Sequence, residues 1–218
     1  MNEIILIDKP AGMSSFGVVA RVRRVLSERE GKKVKVGHTG TLDPFATGLL
    51  ILMAGKATKR CNEFLKLDKE YEAEIVLGKV STTGDPEGEI TESYDGEAVS
   101  REEVERVVEG LVGEIEQRVP AFSAVKINGR RAYDLARKGI DVEMPVRKVK
   151  IYRIDILEYK WPMLKIRAEV SSGTYIRTLG EDIGKALGTG AYVRVLRRTK
   201  IDKYRVEDAM GLEDLMKR

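Results

Sequence analysis

Two long alternating stretches, residues 146–159 and 163–170, flank Lys160-Trp161-Pro162 and constrain the fold more than any other part of the chain. A period of two sends successive side chains to opposite faces, so these stretches predict two strands paired antiparallel around that turn. Further strands are predicted at residues 3–8, 34–36, 48–54, 71–80 and 192–204. Ser14 or Ser15 is expected to cap a helix carrying Val18, Val19, Val22, Val25 and Leu26 at helical spacing. Ser100 and Glu103 form a capping box ahead of Val104, Val107, Val108 and Leu111. Helices are also expected at 56–67, 131–138 and 175–187, with a short one at the C-terminus. Residues 82–96 read as a hairpin or loop, and residues 120–140 as irregular and basic. No repeat, low-complexity tract or linker is visible. The expected fold class is therefore α/β (α+β): one unit spanning residues 1–218, with a large, mixed, mainly antiparallel sheet flanked by helices.

A chain of 218 residues buries roughly 70% of the surface its unfolded form exposes, so it needs no external staple. No apolar run approaches the roughly 20 residues of a membrane helix, and the N-terminus lacks a basic region before its apolar run, so a cytoplasmic location is expected. Cys61 and His38 are the only residues of their kinds, which excludes an intramolecular disulfide and a multi-cysteine zinc site; no metal is expected. No phosphate-binding glycine loop or dinucleotide fingerprint is present, and no cofactor is expected. A charged fraction of 34% with almost no cysteine fits a heat-loving host.

Charge is unevenly placed. Residues 81–117 hold 12 acidic against 2 basic side chains, residues 118–160 hold 11 basic against 5 acidic, and residues 165–205 hold 10 basic against 4 acidic. Basic segments beside an acidic one give a fold a positive face of the kind that meets a phosphate backbone; a solvated surface of mixed charge is the ordinary alternative.

Residues 37–44, Gly-His-Thr-Gly-Thr-Leu-Asp-Pro, gather the single histidine, two glycines and an Asp-Pro step in one short loop. Read locally, Asp43 caps a turn whose next φ is fixed by Pro44. With the stretches Asp8-Lys9-Pro10-Ala11-Gly12, Gly55-Lys56-Ala57-Thr58-Lys59, Lys69-Glu70-Tyr71, Ser172-Gly173-Thr174-Tyr175-Ile176-Arg177 and a segment ending in Leu196-Arg197-Arg198, the loop resembles the TruB-type tRNA pseudouridine synthases, in the same order along the chain. Residues 118–145 are similar to that family's thumb-like RNA-gripping insertion. The chain ends where many relatives continue into a small C-terminal RNA-binding (PUA-like) domain, so none is expected here. Tyr192 stands where the family often has histidine.

The resemblance implies the pseudouridine synthase fold and isomerisation of a tRNA T-loop uridine, at position 55, to pseudouridine. The base is flipped out, cut from its sugar and rejoined through carbon. Such chemistry favours one ionised carboxylate, acting as a nucleophile or as a base toward the sugar, and the resemblance gives this role to Asp43. It implies Arg177 as the fixed cation and Tyr71 against the uracil face. His38 is implied to brace the space left by the flipped base, and Tyr175 and Leu196 to line the nucleotide pocket. Lys9 and Pro10 are implied to support the site. Lys59, Lys126, Arg130 and Arg131 are expected phosphate contacts. The implied partner is the T-arm of tRNA, with no membrane, no obligatory protein partner and a monomeric state. An RNA-binding or tRNA-folding factor with little turnover, and an RNA glycosidase releasing uracil, are the competing readings.

Overall fold

The computed structural model describes residues 1–217, which pack into two compact units: Met1–Glu72 with the described residues from Leu196 onward, and Ala73–Val195. In the first unit β1 (Asn2–Lys9) leads through a turn into α1 (Ser15–Glu30). Ser14 is the cap, its Oγ accepting from the Gly17 N–H, which frees Ser15 for another task. β2 (Val36–His38) and β3 (Thr47–Gly55) follow, then a 3-10 turn (Lys56–Arg60), α2 (Cys61–Leu65) and the start of β4 (Lys69–Leu77).

β3 organises this unit. β1 lies antiparallel along one edge, from Asn2 opposite Gly55 to Lys9 opposite Gly48. Leu50, Leu52 and Ala54 face the α1 valines, whereas Leu49, Ile51 and Met53 face Phe64, Ile201 and Val206. Both faces are buried, which is why the strand reads as an unbroken apolar run.

In the second unit β4 ends before Gly78, whose φ is +79°. β5 (Lys79–Ser81) and β6 (Ile90–Glu92) form a hairpin, and α3 (Arg101–Gly110) starts where Ser100 Oγ accepts from the Glu103 N–H. β7 (Gly113–Arg118), β8 (Lys126–Ile127), β9 (Arg130–Arg131) and α4 (Ala132–Ala136) precede the predicted long hairpin, β10 (Val146–Lys160) and β11 (Met163–Val170). α5 (Ile176–Ala186) and β12 (Ala191–Ile201) complete the unit's strand order β12-β4-β11-β10-β7. The end of β12 lies in the first unit, joined there by β13 (Tyr204–Arg205), β14 (Met210–Gly211) and α6 (Leu212–Lys217). β12 runs parallel to β3 and β14 parallel to β1, which makes the sheet mixed.

Several expectations need correcting. The short strand expected at 34–36 lies at Val36–His38, because its partners are Ala54 to Leu52 on β3, and so it carries His38 directly. The helix expected over 56–67 divides into a 3-10 turn and a short α-helix. The strand expected over 71–80 breaks at Gly78, and the helix expected at 131–138 shortens to Ala132–Ala136 because Arg130 and Arg131 belong to a strand. β7 was not expected. It is a sheet edge whose exposed Glu114, Glu116 and Arg118 alternate with Ile115 and Gln117. Among the described residues no helix is long and apolar enough to cross a membrane.

Candidate active site

The Asp43 loop connects β2 to β3 and is tied down by buried groups. Lys9 is fully buried at the end of β1. Its ammonium donates to the carbonyls of Pro10 at 2.9 Å, Met13 at 2.6 Å and Pro44 at 3.2 Å, so it joins the turn after β1 to the residue following Asp43. The Gly12 N–H donates to the same Pro44 carbonyl at 2.8 Å. Ser15 Oγ donates to the Leu42 carbonyl at 2.9 Å and accepts from the Leu42 N–H at 2.8 Å, satisfying both backbone groups of the residue before Asp43. Buried carbonyls and amides with partners of this kind do not rearrange cheaply. Asp43 is held half-buried between two anchored neighbours.

His38, at the end of β2, accepts the Gly40 N–H on Nδ1 at 3.3 Å, which leaves the proton of the neutral ring on Nε2. Tyr71 is buried near the start of β4, and Leu196 is buried on β12. The first unit also contains Arg198, 1% exposed, whose guanidinium donates to carbonyls of the Asp43 loop and lies over the Tyr71 ring. Lys59 is exposed on the 3-10 turn.

In the second unit Arg177 sits in the first turn of α5, 3% exposed. It faces Asp85, also 3% exposed, at 3.1 Å. Its Nη1 donates to the Thr83 carbonyl and its Nη2 to the Phe122 carbonyl, each at 2.8 Å. Asp85 Oδ1 accepts the Thr83 hydroxyl at 2.6 Å and the Glu87 N–H at 3.0 Å. A buried ion pair needs such additional bonds to offset desolvation. Glu181, one turn along α5, has its carboxyl pushed above the ordinary range by burial, with the Arg177 charge opposing.

Tyr175 precedes α5, and its ring packs on Val119, Ala132 and Met144, the small core of the 118–145 insertion. The buried Gln117 side chain brackets its backbone, accepting the Tyr175 N–H at 3.0 Å and donating to its carbonyl at 3.3 Å. The insertion is fastened to the start of α5 by the Tyr175 packing and by the Arg177 bond to the Phe122 carbonyl, while Gln117 ties the end of β7 to the same point. At its tip Asn128 and Gly129, at φ +49° and +82°, make the two-residue turn between β8 and β9. The turn sets Lys126 opposite Arg131 and Ile127 opposite Arg130, with the three basic side chains exposed. Tyr192 is buried within β12.

Within the first unit, then, the Asp43 loop, Lys9 and Tyr71 come together; within the second, Arg177, Tyr175 and the insertion do. Ser15, Asp85, Gln117 and Arg198 were missed as site residues. The β8–β9 hairpin lies in a stretch expected to be irregular, where Asn128-Gly129 is the signal that could have shown it, whereas the missed polar residues bond mostly to backbone groups far off in sequence and leave no local pattern.

The large mixed sheet with its flanking helices is of the pseudouridine synthase fold class. Residues 23–176 match the TruB family pseudouridylate synthase N-terminal domain, and residues 177–218 match the tRNA pseudouridylate synthase B C-terminal domain. The tRNA pseudouridine synthase B of Phocaeicola vulgatus is 47% identical over 213 residues, covering 97% of this chain and 91% of that protein. That of Aquifex aeolicus is 44% identical over 218 residues, covering 99% and 74%. Among solved structures, a chain of a Cbf5-Nop10-Gar1 complex superposes with a TM-score of 0.75 at 33% identity. One from an H/ACA RNP bound to a substrate RNA containing 2'-deoxyuridine gives 0.72 at 30%. This chain is covered to 98% in both, but spans only about half of each of those chains, 53% and 52%. The chain belongs to the TruB family of pseudouridylate synthases, isomerases that convert uridine in tRNA to pseudouridine.

Proposed function

We propose that the protein isomerises the uridine at position 55 in the T-loop of tRNA, with Asp43 as its essential group. The observation that carries this reading is the anchoring of the Asp43 loop: Lys9, Ser15 and Arg198 all direct buried donors at its backbone, which holds a reacting carboxylate in place before substrate arrives. The N1–C1′ bond of the nucleoside breaks, C5 of the turned uracil bonds to C1′, the C5 proton is lost and N1 takes up a proton. Mass is unchanged and no electrons are exchanged. Asp43 engages the ribosyl bond, and Tyr71 lies against uracil and assists loss of the C5 proton. His38 braces the vacated space, and Leu196 lines the base pocket.

Lys126, Arg130, Arg131 and Lys59 hold the phosphate backbone. Two like charges placed opposite each other on a hairpin, as Lys126 and Arg131 are, repel in the free protein and are relieved by a polyanion. The protein acts alone, as a monomer. Transcribed tRNA carrying tritium at uracil C5 tests the reading: the enzyme releases tritium to water without added metal or cofactor, and replacing the T-loop uridine by cytidine abolishes release. Undiminished release from the replaced transcript contradicts the proposed target.

A further inference from the structure

The edge of β3 facing β2 and β12 is completed by a side chain. β2 is followed by a 3.1 Å bond from the Thr39 N–H to the Ile51 carbonyl, and β12 meets β3 at Thr47 and Gly48. Between these points the Leu49 carbonyl accepts from Arg198 Nε at 2.8 Å. The other guanidinium nitrogens reach into the Asp43 loop, Nη2 to the Gly40 carbonyl at 3.1 Å and Nη1 to the Thr41 carbonyl at 3.4 Å. The guanidinium carbon lies 6.0 Å from the centre of the Tyr71 ring. Gly48 allows this approach, since a Cβ there stands 2.3 Å from the Arg198 carbonyl oxygen.

Burying a guanidinium this completely carries a large desolvation cost. Its bonding partners here are carbonyls of β3 and the loop, and the ring below is one the proposed reaction uses. We propose that Arg198 is a positioning residue for the isomerisation: its planar fork fixes the Asp43 loop relative to β3 and to the Tyr71 ring. The inference rests on Asp43 and Tyr71 being the reacting groups. Lysine keeps the charge at Arg198 but cannot reproduce the fork, because its three donors radiate from one atom.

The test compares R198K and R198A with D43N on the same tRNA transcript, reading kcat at saturating tRNA, tRNA affinity and cooperative thermal unfolding. R198K is expected to fold and to bind tRNA within about threefold of the parent, while kcat falls about 100-fold, as for a misplaced reacting group. Millimolar guanidinium is expected to restore part of the R198A rate and to leave the parent enzyme unchanged. A kcat for R198K within about threefold of the parent overturns the proposal. So does a loss of folding or tRNA binding that accounts for the loss of rate, since Arg198 is then a prop of the core. An active D43N defeats the underlying reading of the site, whereas an inactive D43N beside a fully active R198K defeats this inference alone.

Discussion

Asp85 and Arg177 are each 3% exposed, and neither charge has water to fall back on. Asp85→Asn removes the carboxylate that buried Arg177 faces at 3.1 Å. Breaking such a pair costs about 3–5 kcal/mol, so urea denaturation is expected to show a loss of that size, and kcat to fall with it. A change under about 1 kcal/mol contradicts a net role for the pair. Ser15→Ala strands the Leu42 N–H and carbonyl beside Asp43; kcat is expected to fall at least tenfold while tRNA affinity holds, and equal losses in both contradict local anchoring. Lys69 adds a pH dependence. Its amine is pushed down to about 8, first by burial and then by the Arg198 charge, with Asp68 opposing. Below that value the cost of burying the ammonium is fully present. Between about 8 and the ordinary 10.5 the unfolded chain holds a proton the folded chain has released, so this contribution to stability rises with pH. Lys69→Met is expected to give a shallower rise of unfolding free energy across that window; an unchanged slope contradicts the assignment.

At the scale of elements, the insertion separates binding from chemistry. K126Q with R131Q removes two opposed charges from the β8–β9 hairpin. It is expected to weaken tRNA binding, to reduce the salt slope by about 2, and to leave kcat at saturating tRNA unchanged. Loss of kcat with unchanged affinity contradicts the binding role. The long elements were legible. β10 and β11 show their period over many residues, and α3 carries both its capping residues and its apolar stripe. β7 was not legible, since Gly113–Arg118 buries little apolar surface and becomes a strand by pairing with β10. α2 and α4 lie inside helices that were expected, but each is one turn or so, too short for a helical period to fix its ends. In the site, Asp43 and Lys9 stood in a recognisable loop and turn. No role was read for Gln117, and Arg198 was seen only as the end of a matching segment, because charge and polarity in a sequence do not disclose the backbone groups that offset burial elsewhere in the fold.

Over the whole molecule the charge is divided. The sequence of the first unit, residues 1–72 and 196–218, has 20 basic against 14 acidic residues, whereas residues 73–195 have 19 basic against 21 acidic. The positive balance lies in the unit that carries the Asp43 loop, and tRNA affinity is expected to fall steeply as salt rises. The most direct measurement incubates the purified protein with an unmodified tRNA transcript, without metal or cofactor, and maps pseudouridine at single-nucleotide resolution, with Asp43→Asn run beside it. Conversion confined to the T-loop uridine and absent in the variant is the predicted result. Conversion elsewhere, or undiminished conversion by Asp43→Asn, contradicts the account.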